Sequence, residues 1–142
     1  MIATAFASAE AAERAFYSAF ERADLAAMMA VWAEDEEIIC VHPGGPRLCG
    51  VAEVRESWRQ LFAQGPQLSF SLSNGRLYPG RMLAVHSVFE HVKTRGDPRP
   101  ATAVLATNVY VLTPRGWRML MHHASVPPAA PPAEEPPPSM LH

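Results

Sequence analysis

The chain has 142 residues, 49% of them hydrophobic, with 12 basic and 14 acidic side chains for a formal net charge of -2. That is the size of one ordinary domain, apolar enough to build a core without metal or disulfide staples. The charge offers no basic surplus for a phosphate backbone, and no stretch approaches the roughly 20 apolar residues of a membrane span, so neither nucleic acid nor a membrane is an expected partner.

The N-terminal stretch MIATAFASAEAAERAF lacks the basic leader of a secretion signal, and Glu10, Glu13 and Arg14 interrupt its apolar phase. A cytoplasmic protein is therefore expected. Phe6, Ala9, Ala12, Phe16 and Phe20 recur at three- and four-residue steps, which predicts an amphipathic helix over residues 3–22. Asp24 is a candidate N-cap for a shorter helix, LAAMMAVWA, whose apolar face ends at Trp32. The acidic run at 34–37 reads as a solvated turn rather than a cation site.

IICVH, PGGPR and LCG then predict a strand, a turn and a brief return strand. Cys40 and Cys49 flank that turn and could face each other across it; in a reducing compartment they are expected to be buried thiols. A third helix is expected from Val51 to about Ala63, stopped by Gly65 and Pro66. After it the period changes to two: QLSFSLSNG sets Leu68, Phe70 and Leu72 against serines, and RMLAVHSVFEHVK, ATAVLATNVYVLT and WRMLMHHAS are three further strands.

Helices first and a long antiparallel meander afterwards define an α+β fold with helices on one face of the sheet. Pro127–His142 holds seven of the fourteen prolines, too few donors to join a sheet, so residues 1–126 form the domain and 127–142 a Pro-rich, extended or disordered tail.

The segments ADLAAMMAVWAEDEEIICVHPGG, GVAEVRESW and GWRMLMHHAS, in this order and spacing, resemble the nuclear transport factor 2-like superfamily over roughly residues 5–126. Within it they are most similar to small SnoaL-like and ketosteroid-isomerase-like bacterial proteins. The resemblance implies a curved antiparallel sheet wrapped by three N-terminal helices into a cone with a deep, mostly apolar internal pocket, paired through the sheet as a homodimer. The superfamily spans isomerases, dehydratases, epoxide hydrolases, cyclases, oligomerisation modules and binding proteins, so function rests on what lines the cone.

Carried over from ketosteroid isomerases, the strand-end base falls on His42, whose His-Pro step matches Asp-Pro if two residues are inserted after Trp32; without that insertion it falls on Cys40. The late-strand acid falls on Asn108, the helix-one tyrosine on Phe16, and a third-helix wall aromatic on Trp58. Phe16 lacks a hydroxyl, so half of that family's oxyanion hole is missing, which argues against an unaltered steroid isomerase.

His42 is then either a base, with an ordinary pKa near neutrality, or a strand-end histidine bonded to its own turn. Asn108 sits in an apolar strand, where a buried amide needs partners; it is an electrophilic donor or part of a structural network. If Leu112 faces Trp117 across an even-length turn, Asn108 faces Met121 and His123 faces Ala106, which turns His123 inward and His122 outward; an odd-length turn exchanges the two. By the resemblance, Leu83, Val85 and Phe89 face the pocket, and His86 and Glu90 lie outside at a subunit contact. Phe16, Trp32, Trp58, Phe89 and Met121 are candidates for the ligand wall as well as for core.

Cys40, His42, Cys49 and His123 lack metal-ligand spacing, and no phosphate loop or nucleophile elbow occurs, so no metal or cofactor is expected. The reading is a small-molecule-binding protein with an apolar pocket, acting, if catalytic, as a cofactor-free isomerase, dehydratase or cyclase through His42, Asn108 and His123. The alternative is a non-catalytic binding or oligomerisation module using the outer sheet face.

Overall fold

The computed structural model describes residues 5–34, 37–129 and 131–133. Residues 3, 4, 35 and 36 of the expected first helix and acidic turn, and 130 and 134–142 of the expected Pro-rich tail, lie outside the described residues. Three helices, α1 (Ala9–Arg22), α2 (Leu25–Val31) and α3 (Gly50–Gln64), pack on a curved sheet of six strands: β1 (Ile39–Val41), β2 (Leu48–Cys49), β3 (Leu68–Tyr78), β4 (Leu83–Thr94), β5 (Thr102–Thr113) and β6 (Gly116–Ser125). Among the described residues no helix is long and apolar enough to cross a membrane.

α1 starts later than its periodicity predicts because Ser8 caps it, its hydroxyl accepting from the Ala11 amide at 3.0 Å. Phe6 instead forms a bridge beside Gly116. Asp24 caps α2 as expected, accepting from the Ala27 amide at 3.0 Å. α1 turns into α2 through Ala23 at φ 52, a left-handed residue where its terminal carbonyls are satisfied by the following amides.

The sheet order is β2-β1-β6-β5-β4-β3. The four long strands form the antiparallel meander, but β1 runs parallel to β6, so the sheet is mixed rather than wholly antiparallel. The hairpin register places Ile39 opposite Cys49 and Cys40 opposite Leu48; the two cysteines therefore do not face each other, and both are free thiols.

Leu112 does pair with Trp117, yet the register slips between Val109 and Tyr110: Tyr110 faces Met119 and Val109 faces Met121. Leu120 is the extra residue of a β-bulge, and every residue after it changes face. Asn108 is thus opposite His122, and Ala106 opposite Ala124. This corrects the expected orientation of the histidine pair: His122 is buried and His123 is exposed.

The core lies between the helices and the concave face of the sheet. Phe16 is its hub, with ring centroids 4.9 Å from Tyr17, 6.0 Å from Phe20, 6.5 Å from Trp32, 5.7 Å from Trp58 and 4.9 Å from His122. Trp32, Trp58, Met28, Ile38 and Met119 are fully buried around it. The cone's centre is therefore filled by side chains, where the resemblance implies an internal pocket. Phe16→Ala should cost about 3–5 kcal/mol by opening a cavity at this hub, against about 1 kcal/mol for Asp24→Ala, which removes a cap. Urea denaturation of the two variants checks the ratio; equal losses would show that Phe16 is not the hub.

Candidate functional site

Two polar groupings sit on the concave side. The first lies where α1 crosses β4 and β5. Glu13 and Tyr17, one turn apart on α1, reach down to residues of one parity, and so of one face, on the sheet: His86 and Glu90 on β4 and Asn108 and Tyr110 on β5, with His122 on β6 joined through Asn108. Glu13 accepts from the Tyr110 hydroxyl at 2.6 Å, from His86 Nδ1 at 2.6 Å and from Asn108 Nδ2 at 3.3 Å. Asn108 Nδ2 also donates to the Tyr17 hydroxyl at 2.9 Å, and that hydroxyl donates to Glu90 Oε2 at 2.6 Å. Because the amide nitrogen faces these acceptors, the Asn108 oxygen is left to accept from His122 Nδ1 at 2.6 Å.

Burial sets the protonation of this cluster. Desolvation raises Glu90 to about 7, with the Glu13 charge adding to the rise and the Tyr17 hydrogen bond opposing it. Desolvation likewise pushes the Tyr17 and Tyr110 phenols up, so both stay protonated and act as donors. His122 falls to about 3, first through burial and then through His42 and His123, and is neutral. The Cys40 thiol, raised to about 12 by burial, is no nucleophile near neutrality.

The second grouping is His42 at the end of β1. Its Nε2 lies 3.2 Å from Ser57 Oγ and 3.7 Å from Cys40 Sγ, and its ring stands edge-on to Trp58 at 4.8 Å. Ser57 donates its own proton to the Val54 carbonyl at 2.8 Å, so its oxygen accepts from His42 Nε2 in the tautomer that leaves Nδ1 unprotonated. Burial lowers the His42 pKa below 6.5, favouring the neutral ring. Beside it opens a groove of about 480 Å³ lined by Pro46, Leu48, Leu61, Gln64 and the α3 face that carries Ser57.

The structure divides the expected site residues. His42, Asn108, Phe16, Trp32 and Trp58 are on the concave side, but Asn108 has both ends of its amide engaged in the first cluster, away from the groove. Phe89 and Met121 are on the convex face with His123, which corrects the inward orientation expected for them: the β4 residues facing in are Ala84, Val88 and Glu90, which are buried, and His86, which is half-buried. Counting apolar residues misjudges β4, because its polar face is the one α1 covers with Glu13 and Tyr17. Tyr17, one residue after Phe16, supplies the helix-one hydroxyl that the resemblance found missing. Its sequence signal was the Glu13–Tyr17 pair at helical spacing beside the apolar stripe. Among the described residues no group of three or more His, Cys, Asp or Glu side chains is placed to hold a metal ion.

With this arrangement in view, the chain matches the SnoaL-like domain family over residues 9–129 and belongs to it, within the nuclear transport factor 2-like superfamily. It is similar to a Thiobacillus denitrificans structure provisionally named a calcium/calmodulin-dependent protein kinase type II association domain: 40% identity over 87% of this chain and 98% of that one, with a TM-score of 0.81. A provisionally named dehydratase of the NTF2-like family from Streptomyces avermitilis is 31% identical over 86% of this chain and 95% of its own, with a TM-score of 0.78. The F-box protein SKIP8 of Arabidopsis thaliana is 26% identical over 111 residues, 78% of this chain and 46% of that protein, so the chain spans about half the length of this curated relative.

The polar cluster predicts an opposed pair of pH effects. Glu90 keeps its proton in the folded state up to about pH 7 while the unfolded carboxyl loses it near 4.5, so this group's stabilisation declines as pH rises through that window. His122, neutral when folded down to about 3 but protonated below 6.5 when unfolded, contributes stability that is lost as pH falls from 6.5 to 3. Glu90→Gln removes only the first effect. Its stability relative to the parent, measured by denaturant titration, should rise by about 2–3 kcal/mol between pH 4.5 and pH 8; a difference independent of pH would mean that Glu90 is ionised when folded.

Proposed function

We propose that this chain binds an apolar small molecule carrying a carbonyl or hydroxyl group in the groove beside His42, and that it acts on that molecule by proton transfer next to the carbonyl. The observation that carries this reading is a half-buried, neutral imidazole whose Nε2 is held by Ser57 and whose Nδ1 is free, at the head of an apolar groove of about 480 Å³. His42 Nδ1 takes the proton from the carbon next to the carbonyl and returns it to the ligand, which serves isomerisation, dehydration or cyclisation without a cofactor. Gln64 supplies an amide donor within the same groove for the carbonyl oxygen. The dehydratase name borne by the Streptomyces avermitilis relative supports the same class. Asn108 and His123 leave the mechanism: the first is engaged in the α1 cluster and the second is on the far face.

The protein is read as a cytoplasmic homodimer, its free thiols suiting a reducing compartment and its convex sheet face, with Val85, Phe89, Leu105, Val109 and Met121, suiting a second copy. A second reading, favoured by the name of the Thiobacillus denitrificans relative, is an association module in which that face carries the whole role. Sedimentation separates them, since an association module forms a ring of copies and the small-molecule protein a dimer.

Cyclohexenone in deuterium oxide is a probe of the groove. The protein should accelerate deuterium incorporation next to the carbonyl, at a rate that rises with pH to a midpoint below 6.5 and is level above it, because the base is the neutral ring. His42→Ala should slow this exchange by about a hundredfold. Exchange equally fast in His42→Ala, or ring shifts of His42 that do not respond to the ligand, would overturn the reading.

A further inference from the structure

The Pro-rich segment after β6 is in contact with the far side of the sheet: Asn74 Nδ2, on β3, donates to the Pro132 carbonyl at 3.2 Å. β6 and β3 are separated by two strands, so the chain between Ser125 and Pro132 has to cross both. The pairings define the line of that crossing. Ser125 is opposite Leu105, Leu105 opposite Phe89, and Phe89 opposite Ser73, the residue before Asn74. Three strand spacings amount to about 14 Å, and seven residues of extended, proline-rich chain reach about 22 Å, so the span is covered with slack. The concave side of this row is taken, since Glu90 beside Phe89 is bonded to Tyr17 of α1. The convex side is left, where Phe89 and Leu105 point.

We propose that the convex face of the sheet is a binding track for the chain's own Pro-rich residues 127–129 and 131–133, which lie across Leu105 and Phe89 as a strap and occupy part of the surface on which a second copy would dock. Prolines suit this role physically. Lacking amide donors, they cannot extend the sheet as a further strand, but they lie flat against apolar side chains and keep their carbonyls available to a donor such as the Asn74 amide. Their restricted backbone also keeps the entropy cost of docking small. Pro127 and Pro131 are both partly buried, at the two ends of the crossing. Asn74 is held at φ 51 beside the register shift of β3, which breaks the regular pairing where the strap is received. The inference is independent of the His42 groove.

The test uses the full chain. At dilute concentration, nuclear Overhauser contacts are expected between the Pro131–Pro132 rings and the side chains of Ser73 and Phe89. In Asn74→Gly, which removes the amide but suits the positive φ, those contacts should weaken and self-association measured by sedimentation should tighten about fivefold or more. Tail prolines with free-peptide shifts and no contact to β3 or β4 would overturn the docking. Contacts present in the parent, but unchanged self-association when they are lost in Asn74→Gly, would overturn the competition with a second copy. If the parent and the variant are both monomeric at every concentration, the competition is likewise overturned and the homodimer reading falls with it, while the His42 exchange assay still stands on its own.

Discussion

The structure depends on a carboxylate and a phenol carried by one helix into the sheet. Glu13 and Tyr17 connect α1 to three strands at once, through His86 and Glu90, Asn108 and Tyr110, and, one step further, His122. Each such bond contributes only about 0.5–1.5 kcal/mol net, whereas a buried polar group left without its partner costs about 1–3 kcal/mol. The cluster therefore selects one placement of α1 more than it deepens the fold. Rotating the helix by one residue, about 100°, would carry Glu13 and Tyr17 away from the strands and leave Asn108 and Tyr110 without these partners.

The aromatic hub provides the complementary constraint. Phe16 and Trp58 stand between the His42 groove and the α1 cluster, so the concave side is divided into a region open to solvent and a region closed by its own hydrogen bonds. The division sorts the chemistry. The His42 imidazole belongs to the open region, while the Asn108 amide is engaged at both ends in the closed one. Trp58 touches both His42 and His122, at 4.8 Å and 6.3 Å between ring centroids, and is the wall they share.

The sequence made the architecture legible where one periodicity ran without interruption. The three helices, the four-strand meander and the Asp24 cap follow from spacing and turn chemistry alone. What escaped was orientation. A parity argument carries a strand's face only until an unpaired residue intervenes, and nothing about Leu120 marks it as that residue: it is an apolar position among apolar positions. On β4 the rule that the greasier face turns inward failed because the face with His86 and Glu90 is answered by polar groups on another element, 73 residues away along the chain in each case. The tyrosine of the cluster was displaced by a single position onto Phe16, close enough to be missed by a resemblance and far enough to change which chemistry was thought absent. The parallel pairing of β1 with β6 brings together segments about 80 residues apart, which local patterning does not encode.

The unpaired leucine of β6 has a further implication, which concerns how such a cone can change over evolution. Because Leu120 has no partner on β5, the loss of its codon would remove the bulge and leave Met121 opposite Val109 and His122 opposite Asn108, so the strand beyond it would keep its faces. A bulge at this position thus lets β6 lose one residue without exchanging the lining of the interior, leaving the hairpin that precedes it, and the helices that cover it, where they are.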